Sequence, residues 1–491
     1  IRDLVRSRGL GDVYKRQLVF SSCKKSDDED PNIIRIETDL EIIDFIWKGL
    51  NQYYYWQESV VNLSDSKKES ESDYAYFLSQ NPDPENFFNS LLHPDDNFSW
   101  IVDDYVELEN MLQGIDISDG MEFGLYVECN DQNIFGFVRY IQKDSDAESK
   151  GVKRGMVFSN INGTRLSRDN YRDLLFNDTN SSYTIRFSEI SYNQNNQCAN
   201  IIPGQEDLTL IKSRIVKNPI HISKIIENGG QKIGYLMYNQ FLARANESLN
   251  EVFGRFQSAG ITELVLDLRY NGGGSVDNCI NLASMITGQF TGDVFAKQKW
   301  NSKLDAYWEE RDPESITDLF TNQINDGSSI NSLNLNRLFV LTTRETASAS
   351  ELIINGLEPY IDVVVIGVAT FGKNVGSITV YDYIDNEQTK NPDHTYAMQP
   401  IVLKMANSDG YADYTDGLEP NRLIEEDITK LGVLGVLGEP LLTSTLNLIS
   451  GTKKLSPLNP IIYREFLILD PNMLIRQNMI IEKNFNYFEP K

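Results

Sequence analysis

The chain of 491 residues holds only three histidines (His93, His221 and His394) and four cysteines. Three imidazoles leave few candidates for histidine-based acid–base chemistry. The four scattered cysteines show neither metal-ligand spacing nor an evident disulfide framework. No apolar run approaches the ~18 residues that cross a bilayer. Basic residues are also in deficit: 45 Lys and Arg against 71 Asp and Glu leave a net charge of −26. Such a surface repels nucleic-acid phosphates and anionic lipid, so neither is an expected partner. Apolar material is ample, at 41% hydrophobic and 11% aromatic residues, enough for sizeable cores in roughly two to four domains. His221 and His394 read as structural or exposed, since nothing places an acidic partner and a serine beside either.

The start of the chain is unusual. IRDLVRSRGLGDVYKRQ carries five basic residues without a periodic apolar face, and LVFSSCKKSDDED follows abruptly. FSSC looks like the end of a lipoprotein signal, with Cys23 as lipid acceptor and an acidic tether after it. The ~7–15 apolar residues expected before such a cysteine are reduced to LVF. Residues 1–17 therefore read as a replacement of the native signal. Lipidation of Cys23 would place the chain in a bacterial cell envelope, as a periplasmic or outer-membrane lipoprotein.

Beyond the tether (1–37), TDLE at 38–41 has capping-box spacing, with Thr38 as N-cap and Glu41 three residues on. Apolar residues then recur at helical spacing, and residues 38–112 read as a helical N-terminal domain. Over 113–190 the pattern changes to short strands and turns. FGFVRYIQKDSDAESKGVKRGMVFSNINGTRLS runs from an alternating strand through a short helix to a strand and an Asn-Gly turn. This stretch resembles a PDZ domain, with a second helix expected at 168–176. In that family a glycine-led loop receives a peptide's C-terminal carboxylate while the peptide adds to a sheet edge. Gly124, Leu125, Tyr126 and Val127 sit where the loop would be; Met156 departs from the family's usual Asp.

Residues 191–450 form the largest unit, linker included. KIGYLMYNQF reads as a strand, NESLNEVFGRFQSAG as an amphipathic helix, and ELVLDL, RLFVLTT and VVVIGVAT as short apolar runs. Runs of that kind alternating with helices indicate strands buried on both faces of an α/β sheet. Residues 451–491, a C-terminal extension, carry no usable motif.

Two stretches carry chemistry. ELVLDLRYNGGGSVDN (263–278) passes from a strand into three consecutive glycines, an arrangement that bares backbone N–H groups. Its spacing fits neither a dinucleotide nor a Walker loop. RLFVLTTRETASASELIINGLEPYIDVVVIGVATFGKNVGS (337–377) places Ser348 at a strand-to-helix junction, where helix N–H groups are unsatisfied. Lys373 lies in a glycine-flanked turn after the next strand. Neighbouring strands would bring both to one sheet edge. A lysine desolvated among apolar residues loses its preference for charge and can deprotonate a serine. Asp267 and Arg269, beside the glycines, read as a structural ion pair or cap.

DLRYNGGG, TASASE and TFGK together, with the lysine 25 residues after the serine, resemble the C-terminal processing (tail-specific) peptidases, serine–lysine peptidase family S41. The similarity covers about residues 40–425. It implies an α/β (α+β) multidomain fold: a helical N-terminal region, a PDZ-like β-rich module and a crotonase-like ββα spiral catalytic core. It also implies Ser348 as nucleophile, in preference to Ser350, and Lys373 as general base. Oxyanion donors are expected from Ala349 and from the Gly272, Gly273 and Gly274 run. Many relatives have an amine-orienting glutamine four residues after the lysine; here Ser377 stands there as third member. Pro359 replaces an assisting aspartate found in some relatives. The expected activity is endopeptidase cleavage of proteins near unstructured apolar C-termini, without metal or organic cofactor. Its partners are proteins or peptides with free C-termini. The alternatives are a catalytically silent peptide-binding scaffold and, more remotely, a small-ligand carrier.

Overall fold

The structure is a computed structural model that describes residues 40–130, 132–176, 180–193, 198–451 and 479–481. Cys23, the 1–17 segment and Thr38 lie outside the described residues. The first helix, α1 (Glu41–Tyr53), starts with Leu40 at its N-cap position, with no side chain capping it. It buries Ile43, Ile46, Trp47 and Leu50 on one face and Phe45 on the opposite side. Ser70 and Asp83 cap the next two helices, α2 (Glu71–Ser79) and α3 (Pro84–Ser90), each accepting a first-turn N–H. After α3, Asp96 Oδ1 accepts the N–H groups of Phe98 and Ser99 at 2.8 and 2.9 Å, which folds the chain into a tight turn. Strand β1 (Trp100–Val102) leaves that turn.

The β-rich module contains β2 (Met121–Val127), β3 (Ile134–Ile141), β4 (Val157–Ile161), β5 (Ser182–Asn193) and β6 (Cys198–Ile211), in sheet order β2-β3-β4-β5-β6. Gly124, Leu125, Tyr126 and Val127 form no loop: they lie inside edge strand β2, paired with Phe137, Gly136, Phe135 and Ile134. A glycine is required at 124 because a Cβ would come 2.5 Å from the Phe137 ring. The expected 168–176 helix is shorter, Tyr171–Leu175. The β5–β6 hairpin carries the sheet past residue 190 to Ile211. Cys129 is disulfide-bonded, against the sequence expectation.

The largest unit begins with the hairpin β7 (Ile220–Asn228) and β8 (Gln231–Tyr238). Then follow α4 (Asn246–Ala259), β9 (Glu263–Asp267), β10 (Gly274–Ser275), α5 (Val276–Thr287) and β11 (Val294–Trp300). The chain continues with β12 (Arg337–Thr342), α6 (Ala349–Leu357), β13 (Asp362–Gly367), β14 (Val375–Ser377), β15 (Ala397–Gln399), β16 (Ile401–Asn407), α7 (Pro440–Ile449) and β17 (Met479–Ile480). One sheet runs β7-β8-β9-β12-β13 and ends on the short strand Arg422–Leu423. Beyond the antiparallel β7–β8 pair its strands are parallel. All five residues of β9 are buried, as expected for a strand covered on both faces. A second sheet runs β10-β17-β14-β16-β11 and ends on Thr317–Leu319.

The helical N-terminal region does not stand apart. Trp47 and Leu50 of α1 share one apolar cluster with Phe253 of α4 and Leu352 of α6. Strand β1 pairs antiparallel with β15. Asn301 Nδ2 donates to Tyr54 O at 3.1 Å. These bonds fix the Asp96 turn against the largest unit. The fold is mixed α/β and multidomain.

Candidate active site

Strand β12 ends at Thr342 and α6 begins at Ala349, so residues 343–348 must reverse direction within a few bonds. Ser348 takes the strain, with φ 63° and ψ −117°, a region that L-residues avoid. Such a conformation costs ~1–3 kcal/mol and persists only where surroundings over-determine it. They do so here. Thr346 Oγ1 donates to Leu268 O at 2.9 Å and Ala347 N–H to Asn271 O at 3.1 Å. The Ser348 N–H donates to Glu351 Oε2 at 2.7 Å. Its hydroxyl is fully buried and stands in the capping-box position over the Glu351 N–H, and among the described residues it makes no close hydrogen bond. Ser350 differs, since its Oγ donates to Asn271 O at 2.9 Å.

The glycine loop lies against this turn through Asn271. Asn271 Oδ1 accepts the Gly273 N–H at 2.8 Å, and Phe241 N–H donates to Gly273 O at 2.9 Å. At Gly274, φ 134° and a Cβ position 2.0 Å from Phe241 O leave room for glycine alone. Among the described residues the Gly272 N–H makes no hydrogen bond, nor does the Ala349 N–H at the start of α6.

Lys373 follows β13, which pairs in parallel with β12, so the expected neighbouring of the two strands holds. Gly372 (φ 101°) turns the chain there with a Cβ position 2.2 Å from Thr415 O. Lys373 is 1% exposed, and burial pulls its amine down to about 7, against the opposing pull of Asp96 and Glu351. Its Nζ lies 4.7 Å from the centre of the Phe98 ring. At that value close to half the amine is neutral at pH 7.

Glu351 joins the two halves. Oε2 accepts from the Ser348 and Lys373 N–H groups, at 2.7 and 2.8 Å, while Oε1 accepts from Gly372 N and Thr370 Oγ1, both at 2.6 Å. Burial raises its carboxyl pKa and these hydrogen bonds oppose the rise. The SASE capping-box spacing is the sequence signal for this residue. Asp96 and Phe98 had none, arriving from a turn about 250 residues upstream.

Ser377, on β14, is buried and donates its hydroxyl to Met479 O at 3.4 Å. Asp267 and Arg269 form an ion pair, buried together, with Arg269 Nη2 to Asp267 Oδ2 at 2.8 Å. Arg269 also reaches Glu439 at 2.7 Å and Glu426 at 2.9 Å. Burial raises the Glu426 pKa, but Arg154 and Arg269 outweigh it and hold the carboxyl at about 2. Arg154 belongs to the β-rich module, so this network ties that module to the glycine-loop strand. Arg139 pairs with Glu345, three residues before Ser348. His394 pairs with Asp382 at 3.0 Å, an acidic neighbour that the sequence did not suggest. His221 packs on Tyr140, and burial lowers its pKa. Among the described residues no helix is long and apolar enough to cross a membrane.

Residues 232–397 match the description Peptidase family S41, and residues 41–100 match Peptidase S41 N-terminal domain. The chain carries S41 peptidase domains. The 232–397 match contains Gly272, Ser348 and Lys373; the 41–100 match contains Asp96 and Phe98. The chain is 27% identical over 251 residues to the chloroplastic C-terminal processing peptidase of Tetradesmus obliquus, covering 49% of this chain and 48% of that one. It is 26% identical over 226 residues to the carboxyl-terminal-processing protease of a Picosynechococcus strain, covering 42% and 49%. The match thus spans about half the length of these curated relatives. A Bacteroides fragilis crystal structure described as a putative S41 protease superposes with a TM-score of 0.64 at 26% identity, covering 84% of this chain and 98% of that one.

Proposed function

We propose that the chain is a serine endopeptidase in which Ser348 is the nucleophile and Lys373 the general base. One observation carries the reading: the main-chain N–H groups of a buried serine and of a buried lysine whose amine lies near neutrality converge on one carboxylate, Glu351. The neutral Lys373 amine takes the Ser348 proton as Oγ attacks the scissile carbonyl. The resulting oxyanion is received by the Ala349 N–H and by Gly272, since the Gly273 N–H is already engaged by Asn271. The Lys373 ammonium then protonates the leaving amine. A water deprotonated by the same amine hydrolyses the acyl-enzyme. Ser350, with its hydroxyl committed to Asn271 O, is supported only as a structural residue.

The β-rich module is proposed as the reader of the substrate's apolar C-terminus, in the manner of a PDZ domain. Support comes from β2, which stands at the end of its sheet as an edge strand, the position at which a peptide adds as a further strand. An envelope location, with a tether through lipidated Cys23, is part of the same proposal. The disulfide at Cys129 supports it, because disulfides persist in oxidising compartments. The test is cleavage of a folded protein bearing an unstructured apolar tail. Ser348→Ala and Lys373→Ala should each abolish it, while retention by either variant refutes the dyad. Tail binding without cleavage by the native chain would instead establish a peptide-binding scaffold.

A further inference from the structure

Residues 479–481 are remote from Ser348 in sequence, yet they lie between the two segments that carry its partners. Strand β17 runs parallel to β10 on one side, with Met479 opposite Gly274 and Ile480 opposite Ser275. On its other side it runs parallel to β14, with Ile480 opposite Ser377. The Ile481 N–H donates to Ser377 O at 3.0 Å, and Ser377 Oγ donates to Met479 O at 3.4 Å. Met479 is fully buried and Ile481 nearly so.

The flanks are functional segments. Strand β10 continues the glycine run directly, and β14 starts two residues after Lys373. Adjacent strands are spaced about 4.8 Å apart, so β10 and β14 stand roughly 10 Å apart with a single-strand gap between them. Both flanks are only two or three residues long, and their facing backbone groups need a partner in that gap. An extended peptide presented to Ser348 between the glycine loop and the lysine segment needs the same groups. Met479, Ile480 and Ile481 are apolar, the same chemistry expected of the substrate.

We propose that residues 479–481 are an intramolecular occupant of the substrate-strand site, holding it closed until an extended apolar peptide displaces them. The proposal rests on the peptidase reading above. While the segment is in place the groove is filled, which agrees with the near-zero exposure of Ser348, Lys373 and Ser377. A substrate's apparent affinity is then reduced by the fraction of time the groove stands open. Releasing the segment therefore lowers KM and leaves the chemical step alone.

The experiment uses the full chain with Met479→Asp and, separately, Ile481→Pro. The first places a carboxylate in an apolar site, and the second removes the N–H that reaches Ser377. The substrate is an internally quenched peptide with an apolar C-terminus. Both variants should show kcat/KM raised about fivefold or more, chiefly through KM, with faster amide exchange over 375–377. A five-residue peptide of sequence NMIIE (residues 478–482) added in trans should inhibit them competitively. Unchanged or reduced kcat/KM with the segment released by exchange would show that β17 is a structural strand and overturn the proposal. A variant that fails to fold is bypassed with full-length Ser348→Ala. There the apolar-tailed peptide should speed exchange at 479–481, and no change again overturns the proposal. If native chain and variants all fail to cleave and Ser348 resists a fluorophosphonate, the peptidase reading fails by itself. The Ser348→Ala exchange result then still decides whether the segment competes with a peptide.

Discussion

The main-chain N–H groups of Ser348 and Lys373 converge on one oxygen, Glu351 Oε2, at 2.7 and 2.8 Å. The strained turn and the lysine loop are therefore positioned by a common anchor within the helix that the serine begins. In Glu351→Gln one acceptor oxygen becomes an NH2 group facing N–H donors, leaving two donors unmet. Each unmet buried donor costs about 1–3 kcal/mol. The expected result is a kcat lowered about a hundredfold with KM little changed, a loss typical of misplaced catalytic groups. Steady-state kinetics checks it; a lower melting temperature with kcat unchanged would reduce Glu351 to a helix cap.

In the proposed mechanism the amine of Lys373 sets the pH dependence. Only its neutral form accepts the serine proton, so kcat/KM should rise with pH through a midpoint near 7. Asp96 favours the charged amine, and its removal lowers the midpoint. Asp96→Asn preserves an oxygen for the Phe98 and Ser99 N–H groups, so the profile should move to lower pH with the turn kept. A midpoint that stays fixed would show that Asp96 does not act on the amine.

Much of this site was readable in the sequence for a physical reason. Strands β9, β12 and β13 are short continuous apolar runs, and the residues with chemistry sit directly at their ends. Gly274 and Gly372 are glycines because the backbone of Phe241 and Thr415 fills the space of a Cβ. The contributions of Asp96, Phe98 and Met479 were not readable, since each depends on tertiary pairing with no local pattern. The same holds for Gly124–Val127: the PDZ resemblance put a carboxylate loop there, yet the glycine makes room for the Phe137 ring within a strand. Thr38 of the expected capping box and the Cys23 anchor fall outside the described residues.

Burying Lys373 also affects stability. With its pKa lowered from 10.5 to about 7, the folded chain binds fewer protons than the unfolded chain between those values. Stability contributed by this site therefore rises with pH across that window, and the full penalty applies below pH 7. At 1.36 kcal/mol per unit the penalty is on the order of 4–5 kcal/mol. Lys373→Met should abolish activity while stabilising the fold, by roughly 2–3 kcal/mol more at pH 6 than at pH 9. Denaturant melts at the two pH values check the sign, and a gain independent of pH would contradict it.

Gly274→Ala tests the packing of the glycine loop proposed to receive the oxyanion. The added methyl would meet Phe241 O at 2.0 Å in a backbone region, φ 134°, that alanine rarely adopts. The expected outcome is a loss on the order of 1–3 kcal/mol from the backbone alone, with activity falling as the loop shifts from Ser348. Thermal unfolding checks it; a variant as stable as the native chain would refute this description of the loop.

The central claim, a serine activated by a buried amine, is tested most directly by the rate at which a fluorophosphonate labels the full chain across pH 5.5 to 8.5. The adduct should map by mass spectrometry to Ser348. Its rate should climb with a midpoint near 7 and fall to background in Lys373→Ala. An adduct on Ser350, or a Lys373→Ala chain labelled at the native rate, would contradict the account.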